Sequence, residues 1–261
     1  MPEVLKDPGL ILILAGLAFL VVPVAKTIGY GQATVSPSKG GRVVAFLIGI
    51  GLLGVGLAWK SNNSQPQEFN SEGEAENCFK QGSALYSQKK YAEAESQFRK
   101  AVQLRPGQDS YQFELGCALY EQRKYSEAES QFREAIRLKS DEELYHYWLG
   151  NTFINQGEYL RAESSYAKAV QLKPDDDMNR LQLGVALYHQ NRYAEAESQF
   201  RESVRLKPDS AGHYDNLGNA LYYQNKFAEA ESQFLQAYRL DPSNEGYRDR
   251  LRKAIWAQGP R

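Results

Sequence analysis

Apolar and polar positions follow two different rhythms along this chain. Up to residue 60 the apolar side chains gather into two long runs; beyond it they recur at helical spacing against a polar background. Residues 9–25 (GLILILAGLAFLVVPVA) and 43–59 (VVAFLIGIGLLGVGLAW) are each 17 residues long and carry no charged side chain. As helices each would extend about 26 Å, at the short end of what a bilayer core of roughly 30 Å accepts. A cleaved signal peptide fits the first run poorly, because Glu3 and Asp7 flank a single Lys6 and no small-residue cleavage site follows. The pattern predicts a membrane anchor over residues 1–60 with two spans. Small-residue spacings at Ala45–Gly49 and Gly54–Ala58 would let the two helices pack closely. Residues 61–74 are polar and read as a flexible linker.

After residue 74 the chain repeats itself. YAEAESQFRKAV (91–102), YSEAESQFREAI (125–136), YLRAESSYAKAV (159–170), YAEAESQFRESV (193–204) and FAEAESQFLQAY (227–238) return every 34 residues. Gly82, Gly116, Gly150, Gly184 and Gly218 keep the same period. Two amphipathic helical patterns within a fixed period of this length predict a stacked helix–turn–helix array. Five units follow, at 75–108, 109–142, 143–176, 177–210 and 211–244, with residues 245–261 as a terminal capping helix and tail. In that helix Tyr247, Leu251 and Ile255 share one face.

These units resemble the tetratricopeptide-repeat (TPR) family. Its small residue at position 8 corresponds to the five glycines, and its alanine at position 20 to Ala94, Ala128, Ala162, Ala196 and Ala230. Its aromatic at position 24 corresponds to Phe98, Phe132, Tyr166, Phe200 and Phe234. The resemblance implies an all-α solenoid whose first helices line a concave groove for a partner protein. Helical geometry puts positions 2, 5, 9, 12 and 13 on the side away from the unit's own packing. The groove candidates are Phe79, Tyr86, Phe113, Tyr120, Tyr147, Asn151, Asn155, Tyr188, Asn219 and Tyr222. Aromatic and amide side chains suit a peptide or helix of a partner. The position 12 tyrosines fit a second role equally, packing within their own repeat.

The clamp by which chaperone-adaptor members hold a terminal carboxylate is absent, since position 5 is never basic and position 6 offers only Lys80. The units are similar in style to bacterial and cyanobacterial members, some of which are tethered to membranes and assist complex assembly. That likeness implies a multi-pass protein of a bacterial plasma membrane or thylakoid.

Composition narrows the function further. A formal net charge of −1 offers no bulk attraction for nucleic acid. Cys78 and Cys117 lack metal-ligand spacing, and His146, His189 and His213 share no acid or nucleophile constellation. No phosphate loop or hydrolase motif occurs, so neither a cofactor nor catalysis is expected. Glu95, Glu129, Glu163, Glu197 and Glu231 form an acidic stripe that reads as solvent-exposed i,i+4 pairing. Lys26, Lys39 and Arg42 in the loop between the apolar runs outnumber the basic residues on either flank. That bias places the repeats on the extracytoplasmic or lumenal side. The sequence therefore predicts a non-enzymatic, bilayer-tethered scaffold that binds protein; self-association through the small-residue membrane helices is the alternative.

Overall fold

The structure, a computed structural model, describes residues 66–259, with side chains from residue 72 onward. Both apolar runs lie outside the described residues, and among those described no helix is long and apolar enough to cross a membrane. Every described element is a helix. Five antiparallel pairs follow one another: α1 (Pro66–Ser87) with α2 (Tyr91–Leu104), α3 (Asp109–Glu121) with α4 (Tyr125–Leu138), and α5 (Glu143–Gln156) with α6 (Tyr159–Leu172). Then come α7 (Asp177–His189) with α8 (Tyr193–Leu206) and α9 (Ala211–Tyr222) with α10 (Phe227–Leu240); α11 (Glu245–Ala257) closes the array. Helix α1 starts at Pro66, so residues 66–74 are helical where the sequence suggested a tether. Proline is well placed at a helix start, and the polar residues after it are compatible with a solvated helix.

Each pair turns over through a left-handed residue: Lys89, Arg123, Asn191 and Asn225 have φ of 60–62°, and Gly157 has φ of 77°. Within a pair the helices meet at a glycine. A Cβ on Gly82, Gly116, Gly150, Gly184 or Gly218 would lie 2.5–2.7 Å from the position 24 ring of the same unit. Those rings, Phe98, Phe132, Tyr166, Phe200 and Phe234, are fully buried, as are the position 20 alanines. Glycine here makes room for an aromatic side chain of its own unit.

Successive units are joined by charge as well as by apolar contact. Glu95 accepts hydrogen bonds from Arg99 on its own helix (3.0 Å) and from Gln122 (2.7 Å) and Lys124 (2.8 Å) in the next unit. Glu197 receives the same three from Arg201 (2.8 Å), Gln224 (2.9 Å) and Lys226 (2.8 Å). Glu129 meets Arg133, Gln156 and Arg161, Glu163 meets Gln190 and Arg192, and Glu231 meets Gln258. The Glu95, Glu129 and Glu197 side chains are only 12% exposed. The acidic stripe is therefore a row of inter-unit clasps, not a solvated face. Alone, burial would raise the Glu95 carboxyl, but the Lys124, Gln122 and Arg99 donors outweigh it and hold it below the ordinary glutamate value. Glu197 behaves likewise through Lys226, Gln224 and Arg201.

The glutamine of this clasp recurs with the repeat as Gln122, Gln156, Gln190, Gln224 and Gln258. Gln258 shows that α11 is the first helix of a sixth unit whose second helix does not follow within the described residues. Asn244 caps its start, accepting from the Gly246 amide at 3.0 Å. Its fully buried residue is Ala254; Ile255, placed inward by the sequence pattern, is 45% exposed and Trp256 is 86% exposed. The equivalent residues Leu119 and Leu221, in complete units, are fully buried.

Candidate functional site

Consecutive first helices approach one another, α1 to α3, α3 to α5 and α7 to α9, more closely than consecutive second helices do. The array therefore curves with its first helices on the inner wall, where the candidate residues reside. Phe79 and Phe113 at position 5 are committed to joints between units. Phe79 stacks on Tyr111 at 4.7 Å, and Phe113 meets Tyr145 at 4.9 Å. Tyr145 in turn donates to Asp109 at 2.6 Å, back across the same joint. Tyr147 contacts Tyr166 edge-on at 5.9 Å, while Asn151 accepts from the Tyr166 hydroxyl at 2.6 Å. These residues set the spacing of the wall more than they furnish its surface.

The position 12 tyrosines do both. Tyr86, Tyr120, Tyr188 and Tyr222 meet Tyr91, Tyr125, Tyr193 and Phe227 of their own units edge-on, with centroids 5.2–5.5 Å apart. Edge-to-face pairing contributes about 0.5–1.5 kcal/mol beyond burial. All four remain half-buried, so part of each ring is accessible. Burial pushes the Tyr120 and Tyr188 hydroxyls up, Tyr188 helped by its neighbour Tyr223; they stay protonated and available as donors.

Position 13 extends the accessible surface. Exposed Asn155 donates to the Tyr120 hydroxyl at 2.8 Å and accepts from the Tyr125 hydroxyl at 3.2 Å, bridging two units. His189 stacks on Tyr159 at 4.7 Å, with ring planes 10° apart. Tyr223, 54% exposed, stacks on Tyr193 at 5.2 Å and meets Tyr188 edge-on at 5.6 Å. At position 9 Asn219 donates to Asp215 at 3.3 Å, and Asp215 pairs with Arg250 of α11. The inner wall thus carries a broken line of rings and amides. His189 and Tyr223 stand among its most accessible members; they are not among the groove candidates drawn from the sequence, although both occupy the position that yielded Asn155. Among the described residues no group of three metal-ligating side chains occurs.

Models described as tetratricopeptide repeat match residues 75–108, 113–177, 153–221 and 214–244. Among solved structures, YrrB, "a TPR protein with an unusual peptide-binding site", superposes with a TM-score of 0.61 at 21% identity, over 78% of this chain and 98% of that one. MamA from Desulfovibrio magneticus RS-1 gives 0.63 at 17%, over 66% and 97%. PilF of Pseudomonas aeruginosa gives 0.60 at 16%, over 71% and 90%. At such identities the likeness speaks to the fold. No curated protein matches the sequence.

Proposed function

Because the chain belongs to the tetratricopeptide-repeat family, we propose that it is a non-enzymatic scaffold holding a segment of a partner protein along the inner wall of its solenoid. The line of accessible rings and amides formed by Tyr120, Asn155, His189, Tyr188 and Tyr223 supports this reading. A surface of this kind supplies contact area and polar handles together, and nothing in the units' own packing requires His189 or Tyr223 to be so exposed. Residues 9–25 and 43–59 tether it to a bacterial plasma membrane or thylakoid as two spans, with the repeats on the extracytoplasmic or lumenal face. There it assists assembly of a membrane complex.

The test pairs His189→Ala with Tyr223→Ala in the tagged full chain and asks what copurifies from native membranes. Loss of copurifying protein at an unchanged helical signal supports the scaffold. Unchanged recovery, together with dissociation by Gly49→Leu, would replace it with self-association through the membrane segment. Protease protection of a tag after Arg261 in sealed vesicles tests the side of the membrane.

A further inference from the structure

Along the inner wall, the position 12 ring of Tyr120 is bracketed by positions 6 and 13 of the next unit. Around Tyr120 these are Trp148, 5.1 Å away edge-on, and Asn155, hydrogen-bonded at 2.8 Å. At Tyr188 the position 13 residue is Tyr223, at 5.6 Å. These neighbours meet the tyrosine edge-on or bond to it. The bracket around Tyr86 differs: the same register puts Glu114 and Glu121 there, seven residues apart on one face of α3. Both carboxylates, with Cys117 between them, act electrostatically on Tyr86.

Glu114 stands apart in a second way. The half-buried acids at the joints between units have partners: Glu95, Glu129, Glu163 and Glu197 in the clasps, Asp109 with Tyr145, Asp215 with Arg250. Glu114 is half-buried with neither an ion pair nor a hydrogen bond. Desolvating a carboxylate without a partner is unfavourable, and at the inner wall of a binding solenoid it is a functional signature.

Resting on the reading of the inner wall as a binding surface, we propose that its first joint receives a basic segment of the partner, with one Lys or Arg side chain seated on the Tyr86 ring between Glu114 and Glu121. A cation over an aromatic face, flanked by carboxylates, is favoured by the ring quadrupole and by charge-assisted hydrogen bonds. Charge complementarity selects this occupant: the open bracket carries two negative charges, so an acidic segment is repelled and a neutral one leaves both carboxylates unanswered. The polarity is the reverse of a carboxylate-holding groove.

The experiment titrates a (Gly-Arg)6 peptide into the full chain calorimetrically, with (Gly-Glu)6 as the charge-reversed control. The arginine peptide is expected to bind and the glutamate peptide not to. Glu114→Gln with Glu121→Gln should weaken binding at least about tenfold. Glu93→Gln with Asp209→Asn removes the same charge from exposed positions off the inner wall and should leave it unchanged. Equal weakening by both pairs would mean diffuse attraction and overturn the proposal, as would an inner pair without effect. So would displacement of the peptide by calcium ions that the inner pair abolishes, which would assign a metal instead. The two readings separate on the natural partner. If His189→Ala with Tyr223→Ala releases it and the inner acid pair does not, the scaffold stands and the basic segment falls; if neither releases it, both fall.

Discussion

Two glycines six residues apart in α9 should respond in opposite directions to the same substitution. A Cβ on Gly218 would sit 2.6 Å from Cε1 and 2.7 Å from Cδ1 of Phe234, a ring only 1% exposed and enclosed on all sides. Overpacking of this kind costs about 1–3 kcal/mol. Because the ring is enclosed, the upper part of that range, about 2–3 kcal/mol, applies; alanine recovers roughly 1 kcal/mol of helix propensity, so Gly218→Ala should destabilise by about 1–2 kcal/mol. A Cβ on Gly212 meets nothing nearer than the Tyr247 hydroxyl at 4.0 Å. There the propensity gain stands alone, and Gly212→Ala should stabilise by about 0.5 kcal/mol, less than in mid-helix because the site lies in the first turn. At about 2–4 °C per kcal/mol for a unit of this size, the midpoints should differ by several degrees in thermal unfolding followed by circular dichroism. Adding Phe234→Leu to Gly218→Ala makes room for the methyl group, and the pair should cost about 1 kcal/mol less than the sum of its parts. A Gly218→Ala protein as stable as the parent, or additive behaviour of the pair, would refute the claim that the ring dictates the glycine.

Further outcomes can be measured alongside. Glu95 and Glu197 have carboxyls held below the unfolded value, so their stabilisation is present above that value and is lost as pH falls through the lowered one; Glu197→Ala should lower the urea midpoint at pH 7 and flatten its decline in acid. Glu114 has its carboxyl raised by burial, which makes the ionised side chain unfavourable at neutral pH and relieves that effect on protonation. Glu114→Gln should therefore raise the midpoint at pH 7, with the gain shrinking toward pH 4. Burial, with help from Glu114 and Glu121, pushes the Cys117 thiol well up, whereas Cys78 is only half-buried; iodoacetamide should label Cys78 first, and mass spectrometry of timed digests would show the reverse order if this is wrong. Removing Arg250 by Arg250→Ala leaves Asp215, already raised by burial, without its cation, and α11 should lose amide-exchange protection before the preceding pairs do.

The repeat, its helices and its in-phase glycines and aromatics were legible in the sequence because each is a pattern within one 34-residue unit. What it obscured lies between units. Glu95 has Arg99 four residues on, and that local pair accounts for the acid so well that Gln122 and Lys124, 27 and 29 residues away, go unnoticed. Yet the glutamine recurs in phase and was a visible signal. Phe79 and Phe113 look like groove residues by helical angle alone; stacking on Tyr111 and Tyr145 depends on how far one unit is rotated on the next, which no single-helix projection encodes. Ile255 follows the inward stripe of α11 by spacing, but that stripe faces the place where a second helix would lie.

The clasps also give the array a particular elasticity. A joint sealed by apolar area alone resists opening in proportion to the surface exposed, whatever the surrounding ions. Here each joint adds a carboxylate fastened to donors of the following unit, partly open to solvent on the cation side. Bending stiffness should then soften with ionic strength and with acid, joint by joint, without unfolding any pair. A solenoid built this way acts as a spring whose compliance is set by the surrounding medium, and the curvature it offers a partner changes with that medium.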